Sequence, residues 1–214
     1  MMTDIRFLFW DFDGTLYDTY PGLLRAFMRT QEALGVKNPI GEKEALGLMK
    51  VTLHNAFARL AERAGMDVGY VAEAFQAHRA ENEAFPPYEG VEEALRALRG
   101  AGIRHHLYTH RDQTAVRQLQ ADGLWQLFDG GITQEDGFPY KPAPDALLYL
   151  MEREGIMPRH AAMVGDRDID IQAGHNAGMR GILFDPDHFY PTLAAESRVR
   201  SMAELAALLL RARP

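Results

Sequence analysis

The sequence predicts an α/β protein, with a parallel β-sheet covered by helices on both faces and a helical insert after the first strand. Short apolar runs that end in Asp or Gly alternate with amphipathic helical patterns, and this alternation is typical of a parallel sheet. Residues 16–85 interrupt the alternation, because they carry helical patterns without a strand pattern. With 214 residues, the chain is long enough to bury a substantial core.

The first strand is predicted at residues 5–10, where a nearly continuous apolar run is followed by Asp. Strands of a parallel sheet are buried on both faces and therefore carry such runs. Residues 103–108, 161–164 and 181–184 have the same form, and a weaker strand is expected at 128–132. Ligands of such sheets bind at the carboxyl ends of the strands, so the residues that follow these runs are the candidates for chemistry.

Helices are predicted between the strands and at the end of the chain. The patterns between the strands lie at residues 91–98, 114–122 and 144–154. A closing helix over 205–210 follows a capping-box spacing at 201–204.

The insert carries three amphipathic patterns, at residues 23–34, 46–60 and 68–78. Pro86 and Pro87 then mark a stiff junction back to the alternating region. We therefore expect a core domain formed by 1–15 and 86–214, and a helical domain at 16–85.

Charge and composition limit the classes of ligand. The chain carries 23 Lys plus Arg against 30 Asp plus Glu, a net charge of −7, which disfavours binding to nucleic acid and to anionic membranes. Cysteine is absent, so disulfides and thiolate metal sites are excluded. No signal peptide or membrane-spanning segment is recognised. We expect a cytoplasmic protein that is a monomer, with a dimer as the alternative.

Asp11 and Asp13 are separated by one residue at the end of the first predicted strand, in the segment Asp-Phe-Asp-Gly-Thr. In an extended chain their side chains lie on the same side. Two carboxylates at the end of a buried strand are costly unless a cation or hydrogen-bond donors compensate them. Gly14 permits close approach of the backbone to a ligand. A strand end with an Asp-Gly turn is the alternative interpretation.

A second acidic cluster, Asp166, Asp168 and Asp170, follows the strand predicted at 161–164. Asp166 and Asp170 share one face if a helix begins here. Acidic residues also cap helix N-termini, but one or two are enough for that purpose. Asp11, Asp166 and a backbone carbonyl would form the oxygen-rich, partly hydrated site that Mg²⁺ prefers, so we expect Mg²⁺ as cofactor.

Two further polar residues complete the candidate site. Lys141 lies among prolines ahead of a predicted helix, so its backbone is rigid and its ammonium could neutralise a phosphate. Thr109 follows the strand predicted at 103–108 and offers a hydroxyl and a backbone N–H to phosphate oxygens. Alone, Lys141 would be a surface charge and Thr109 a turn residue.

These four segments, in this order and each at a strand end, resemble the motifs of the haloacid dehalogenase superfamily of phosphohydrolases. The first motif lies at residues 11–15, the second is Thr109, the third is Lys141, and the fourth, Gly-Asp-x-x-x-Asp, lies at 165–170. The resemblance covers the whole chain. It implies a Rossmann-like three-layer core, with the insert as the helical cap of the subfamily that includes phosphoglycolate phosphatase and β-phosphoglucomutase.

The resemblance also implies residue roles. Asp11 would attack phosphorus and form an aspartyl-phosphate, while Asp13 would protonate the leaving oxygen and then deprotonate the attacking water. The implied metal ligands are Asp11, the Asp13 carbonyl and Asp166, with Asp170 positioning metal-bound water or binding the metal indirectly. The implied phosphate or substrate contacts are Thr109, Lys141, Gly14, Thr15, His110 and Lys50.

One departure concerns His110, which stands where many relatives have Asn. His110 could bond the phosphate or the substrate, but His105 and His106 show that histidine is not scarce here, so a solvated or locally bonded ring is the favoured interpretation. Arg111 and Arg167 are candidates for anion contacts, or else surface residues.

The implied reaction is hydrolysis of the phosphate monoester of a small metabolite. Asp13 favours it, since related dehalogenases and phosphonatases lack an acid/base Asp at that position. A β-phosphoglucomutase-like sugar phosphomutase is the main alternative, because Lys50 stands near the cap arginine of such mutases. A phosphonatase with Lys43 or Lys50 as its Schiff-base lysine, or a non-catalytic binding protein, is less favoured. The cap residues that could contact the substrate are Tyr17, Asp18, Tyr20, Lys50 and His54.

Overall fold

The computed structural model describes residues 2–80 and 85–211. The chain divides into two compact units, of which one ends at Tyr17 and resumes at Pro87, and the other is Asp18–Pro86. The domains expected from the sequence, 1–15 with 86–214 and 16–85, stay a prediction. The two units are described separately below.

The Asp18–Pro86 unit consists of helices packed around a core that includes Phe27, Leu60 and Phe75. The helices are α1 (Tyr20–Ala33), α2 (Glu42–Val51), α3 (Leu53–Ala64) and α4 (Val68–Ala80). The single helical pattern predicted over 46–60 was wrong, because the structure breaks it at Thr52. The backbone of Thr52 is extended, and its Oγ1 accepts a hydrogen bond from the backbone N–H of Asn55 at 3.0 Å. This is the arrangement of a helix N-cap, so α3 begins there.

The other unit is built on a parallel sheet. Its strands are β1 (Phe7–Trp10), β2 (Arg104–Tyr108), β3 (Gly131–Ile132), β4 (Ala161–Gly165), β5 (Arg180–Phe184) and β6 (Ser197–Val199). Their order is β3-β2-β1-β4-β5-β6, and every pair of neighbours is parallel. The predicted α/β fold with a Rossmann-like parallel sheet is confirmed.

Helices cover both faces of this sheet. They are α5 (Val91–Gly100), α6 (Thr114–Ala121), α7 (Asp145–Glu154), α8 (Asp168–Asn176) and α9 (Met202–Arg211). Side chains of α7 and α8 form a core with Phe9 and Met163, and His106 stacks on Phe9 at 5.1 Å. Successive strand residues point to opposite faces, so His105 points to the other face, where α5 carries its partner Leu95.

The pattern of apolar runs missed β6. Ser197-Arg198-Val199 contains no apolar run, and the strand lies at the edge of the sheet beside β5. An edge strand pairs on one side only, and edge strands are often short and polar. None of the helices in the described part of the chain combines the length and the apolar character needed to cross a bilayer.

His105 is a buried histidine that the fold holds in its neutral form. Its Nδ1 accepts a hydrogen bond from Trp10 Nε1 at 3.1 Å, so its proton is on Nε2, which donates to the Leu95 carbonyl at 3.1 Å. Burial lowers the pKa of His105 to about 4. Since the unfolded residue titrates near pH ~6.5, the unfolded chain binds more protons between these two values.

We therefore predict that the free energy of unfolding falls as the pH is lowered from 7 to 5, with about 2 kcal/mol of the loss caused by His105. Urea unfolding at pH 7, 6 and 5 would measure it. A His105→Gln variant should lose less stability over this range than the wild type. His54→Gln, at an exposed position of α3, is the control and should follow the wild type. Equal pH dependence in His105→Gln and the wild type would contradict the prediction.

Candidate active site

The candidate residues gather where β1, β2 and β4 end. β1 lies between β2 and β4 in matched register, so Asp11, Thr109 and Asp166, which follow these strands, start from the same edge of the sheet. The backbone N–H of Asp11 donates to the Val164 carbonyl at 2.9 Å and so continues the pairing by one residue. The carboxyl edge of a parallel sheet is where ligands of this architecture bind.

Three buried carboxylates form a cluster at this edge. Asp11, Asp166 and Asp170 each offer an oxygen atom, and these atoms all lie within 4.8 Å of one another. Asp170 reaches the cluster from the first turn of α8, which passes very close to Gly165. A Cβ atom at Gly165 would lie 2.2 Å from the Cβ of Asp170, so a residue with a side chain could not stand there without moving α8.

Lys141 binds two of these carboxylates. Its Nζ donates to Asp11 Oδ1 at 2.8 Å, to Asp170 Oδ1 at 2.8 Å and to the carbonyl of Tyr108 at 2.9 Å. An ammonium group has three N–H bonds, so all of its donors are used. The side chain is fully buried. The structure therefore fixes the position of this cation rather than leaving it in solvent.

The buried charges shift one another's pKa. Burial lowers the pKa of Lys141, but Asp11 and Asp170 outweigh burial and bring it above the usual value. Burial likewise raises the pKa of Asp170, but Lys141 and Arg167 outweigh it and bring it below the usual value. For Asp11 burial dominates and raises the pKa to about 6, although Lys141 opposes this. A further cation beside Asp11 would oppose the effect of burial and favour its charged form.

The donor set fits a divalent cation. Oδ2 of Asp11 is buried and accepts no hydrogen bond from the residues that the structure describes. Carboxylate oxygens are the ligands that Mg²⁺ prefers, and the three carboxylates outnumber the two cations beside them, Lys141 and Arg167. The side chains of the cluster therefore suit a metal ion beside Asp11.

Arg167 is a second cation that faces the same carboxylates. Its guanidinium nitrogens lie 3.9 Å from oxygens of Asp11 and Asp166 and 4.0 Å from Asp170. These distances are too long for hydrogen bonds, so the interaction is electrostatic. The sequence is compatible with Arg167 as an anion contact or as a surface residue, and the structure places it beside the acidic cluster.

Asp13 is not part of the carboxylate cluster, because it pairs with Arg111. Nη2 of Arg111 donates to Asp13 Oδ1 at 2.6 Å, and Nε donates to Oδ2 at 3.1 Å. This two-point contact fixes the plane of the carboxylate as well as its position. The Arg111 side chain is 5% exposed and that of Asp13 is 28% exposed, so the pair lies at the border of the site. The Asp13 carbonyl as a metal ligand stays a prediction.

The remaining core residues show more local contacts. Thr109 is buried, and its Oγ1 accepts the backbone N–H of Arg111 at 3.0 Å, which leaves the hydroxyl proton for another acceptor. Gly14 has a φ of 74°, a conformation that favours glycine. Its N–H donates to the Tyr17 carbonyl at 2.8 Å, and the N–H of Thr15 donates to the Phe12 carbonyl at 3.4 Å. Both N–H groups therefore form hydrogen bonds within the turn after β1. Phosphate contacts by Gly14 and Thr15 stay a prediction.

His110 is bonded within the site loop. Its Nε2 accepts the backbone N–H of Lys141 at 2.7 Å, and its ring lies edge-on to Tyr140 at 4.7 Å. Burial, followed by the charge of Lys141, lowers the pKa of His110 to about 3. The structure shows a locally bonded ring, one of the two states that the sequence favours. A contact of His110 with phosphate stays a prediction.

Comparison with known proteins agrees with this geometry. Residues 8–184 match the family of haloacid dehalogenase-like hydrolases. The chain belongs to this family. The family resemblance predicted from the four motifs is therefore confirmed, as is the prediction of an enzyme of this hydrolase class.

Relatives in the family carry names of phosphatases. The chain is 29% identical to the pyrophosphatase PpaX of Halalkalibacterium halodurans over 86% of this chain and 92% of that protein. It is 30% identical to a phosphoglycolate phosphatase of Pseudomonas putida over 95% of this chain and 78% of that protein. The crystal structure of a haloacid dehalogenase family hydrolase from Deinococcus radiodurans superposes with a TM-score of 0.79 at 22% identity, covering 98% of this chain and 97% of that one. At 22% identity, this structural similarity shows a shared fold only.

Lys50 and the other candidates in the insert belong to the Asp18–Pro86 unit. Lys50 is buried near the end of α2, with Nζ 4.5 Å from the centre of the Tyr20 ring. Cations are attracted to aromatic faces at this distance. His54 and Lys43 are exposed on α3 and α2. The predicted substrate contact of Lys50 stays a prediction in this hydrolase.

Tyr17 has a structural contact in the sheet unit. Its hydroxyl donates to Asp122 Oδ2 at 2.6 Å, and its ring stacks on Phe12 at 4.4 Å. The hydrogen bond joins the chain after β1 to the end of α6. Tyr17 therefore already has a role in the fold, whatever it contacts in a substrate complex.

Sequence reasoning missed Tyr190 in the loop after β5. The carboxylate of Asp185 holds this loop by accepting the backbone N–H groups of Phe189 at 2.7 Å and Tyr190 at 3.1 Å, and Arg198 at 3.0 Å. Burial, followed by the negative charge of Asp166, raises the pKa of Tyr190. The Asp at the end of the apolar run of β5 is the one sequence signal that could have directed attention to this loop.

Proposed function

We propose that this hydrolase is a Mg²⁺-dependent phosphatase that cleaves the phosphate monoester of a small metabolite through an aspartyl-phosphate on Asp11. The observation that carries the proposal is the state of the Asp11 carboxylate. Lys141 holds one of its oxygens, and the other is buried without a hydrogen bond from the described residues. A carboxylate in this setting is oriented for attack and poorly solvated, which is what a nucleophile requires.

In the proposed first step, a carboxylate oxygen of Asp11 forms a bond to phosphorus while the bond from phosphorus to the leaving oxygen breaks. Asp13 gives its proton to the leaving oxygen. In the second step water attacks the same phosphorus, Asp13 takes the proton of that water, and the Asp11 carboxylate is released. Arg111 orients the Asp13 carboxylate through its two-point contact. This contact favours the charged form of Asp13, so it supports the second step, whereas in the first step Asp13 must carry its proton in spite of it.

Positive charge in the site supports transfer of an anionic group. Lys141 is fixed beside Asp11, and Arg167 faces the same cluster. Mg²⁺ would be held by Asp11, Asp166 and Asp170, with the Asp13 carbonyl, and when bound it would neutralise charge on the phosphoryl oxygens. The phosphatase names of the two relatives above agree with this chemistry. We propose the Asp18–Pro86 unit as the cap that selects the substrate. The expected monomer stays a prediction.

The proposal is tested by incubating the protein with a panel of small phosphate esters and pyrophosphate in the presence of Mg²⁺. We expect release of free phosphate from at least one of them, loss of that release in EDTA, and recovery when Mg²⁺ is restored in excess. No release from any compound, or equal release in EDTA, would contradict the proposal.

A parallel incubation tests the phosphomutase alternative. β-Glucose 1-phosphate is supplied with a bisphosphate primer, and both free phosphate and the isomerised sugar phosphate are measured. Phosphate release without isomerisation is expected. Isomerisation with little phosphate release would favour transfer to a sugar hydroxyl over transfer to water.

A further inference from the structure

We propose that His110 is a positioning residue for Lys141: its Nε2 accepts the Lys141 backbone N–H and thereby holds the loop that places the ammonium between Asp11 and Asp170. The inference deepens the proposed function and rests on it for the role of Lys141. It gives a reason for a histidine at this position that does not require contact with phosphate.

The hydrogen bond determines the tautomer of His110. A backbone N–H can only donate, so the Nε2 that lies 2.7 Å from the Lys141 nitrogen must be unprotonated. The proton of the neutral ring is therefore on Nδ1. Burial and the nearby charge of Lys141 keep the ring neutral at ordinary pH, so the acceptor is not lost by protonation.

The ring of His110 is itself held in place. It lies edge-on to Tyr140 at 4.7 Å and to Tyr108 at 6.2 Å. Edge-to-face contacts at these distances restrict ring orientation. Tyr108 also supplies the carbonyl that Lys141 Nζ contacts, so the two tyrosines connect the ring to the strand end and to the lysine loop.

The loop is held on both sides of Lys141. His110 binds the N–H of Lys141, and Asn176 Nδ2 donates to the carbonyl of the following Pro142 at 2.9 Å. The backbone is thus held at the Lys141 N–H and, one residue further on, at the Pro142 carbonyl, while the ammonium is held by three acceptors. A small displacement of the backbone would pull Nζ away from Asp11, and an error of about 1 Å in a catalytic site can cost about 100-fold in rate.

Side chains of different length separate this role from ligand binding. The terminal atoms of Gln reach as far from Cβ as Nε2 of histidine, whereas those of Asn reach only as far as Nδ1. His110→Gln therefore keeps an acceptor for the Lys141 N–H. His110→Asn loses that acceptor and keeps a polar group only at the position of Nδ1. His110→Ala removes both.

The experiment compares kcat and KM of the three variants on the best substrate of the panel, after circular dichroism and urea unfolding have shown that each is folded. We expect His110→Gln to stay close to the wild type. His110→Asn and His110→Ala should lower kcat by about 10- to 100-fold, with a smaller change in KM. A fully active Asn variant beside an impaired Gln variant would overturn the proposal in favour of a ligand contact by Nδ1. Wild-type rates in all three would also overturn it.

A second measurement separates this inference from the proposed function. The ¹⁵N shifts of the histidine rings in the wild-type protein should show His110 protonated on Nδ1 and unprotonated on Nε2. The Lys141 amide proton should shift in the Asn and Ala variants and keep its position in the Gln variant. The opposite tautomer would overturn the inference even if the enzyme is a phosphatase. If no substrate is hydrolysed, the proposed function fails, and these shifts still decide whether His110 holds Lys141.

Discussion

Asp11→Asn should abolish turnover, with kcat reduced by at least about four orders of magnitude, as is typical when a covalent nucleophile is removed. An amide oxygen does not attack phosphorus, and the change also takes one negative charge from the carboxylate cluster. The amide still fits the space of the carboxylate and can accept the Lys141 hydrogen bond through its oxygen. We therefore expect a folded protein, which circular dichroism and urea unfolding would verify beside the phosphate-release assay.

Asp168→Asn is the matched control for this experiment. Asp168 belongs to the same acidic segment as Asp166 and Asp170, but its carboxylate is bonded to Gln172 and is not one of the three clustered carboxylates. Its rate should stay near that of the wild type. Full activity of Asp11→Asn would remove the basis for assigning Asp11 as the nucleophile, whereas equal losses in both variants would show a general effect of charge.

Lys141→Met should lower both activity and stability. The substitution keeps a long unbranched side chain but removes the ammonium that binds Asp11 and Asp170, both of which are buried. Breaking a buried ion pair by removal of one partner costs about 3–5 kcal/mol, so the free energy of unfolding should fall by about this amount when measured in EDTA. The loss of a fixed cation beside the transferring group should reduce kcat by about 10²- to 10³-fold.

Lys43→Met provides the comparison, since Lys43 is an exposed lysine on α2. It should leave both the unfolding free energy and kcat close to the wild type. Measurement in EDTA matters, because an added divalent cation could take over part of the missing charge at Asp11. An unfolding free energy of Lys141→Met equal to that of Lys43→Met would show that the buried contacts of Lys141 contribute nothing net to stability.

Most of the sheet could be predicted because its signals are local. The apolar run that forms β1 ends directly at Asp11, and the run that forms β4 ends at Asp166. Prediction from such local patterns was wrong or incomplete where tertiary contacts determine the secondary structure. The helix predicted over 46–60 is divided at Thr52, and β6 has no apolar pattern because it is a short edge strand.

By itself, the sequence determined which chemical groups stand at the strand ends, namely the carboxylates of Asp11 and Asp166 and the hydroxyl of Thr109, and it placed the ammonium of Lys141 in a rigid segment ahead of α7. Strand ends follow from hydrophobic patterning, and parallel strands bring their carboxyl ends to one edge, so the approximate site was predictable.

Only the tertiary structure decided how these groups pair. Arg111 binds Asp13 across 98 residues of sequence, and His110 binds the backbone of Lys141 across 31. Such contacts depend on the register of neighbouring strands and on the paths of the loops that follow them. The residue type determines which hydrogen bonds a side chain can donate or accept. The packing of the fold determines which residue is close enough to be its partner.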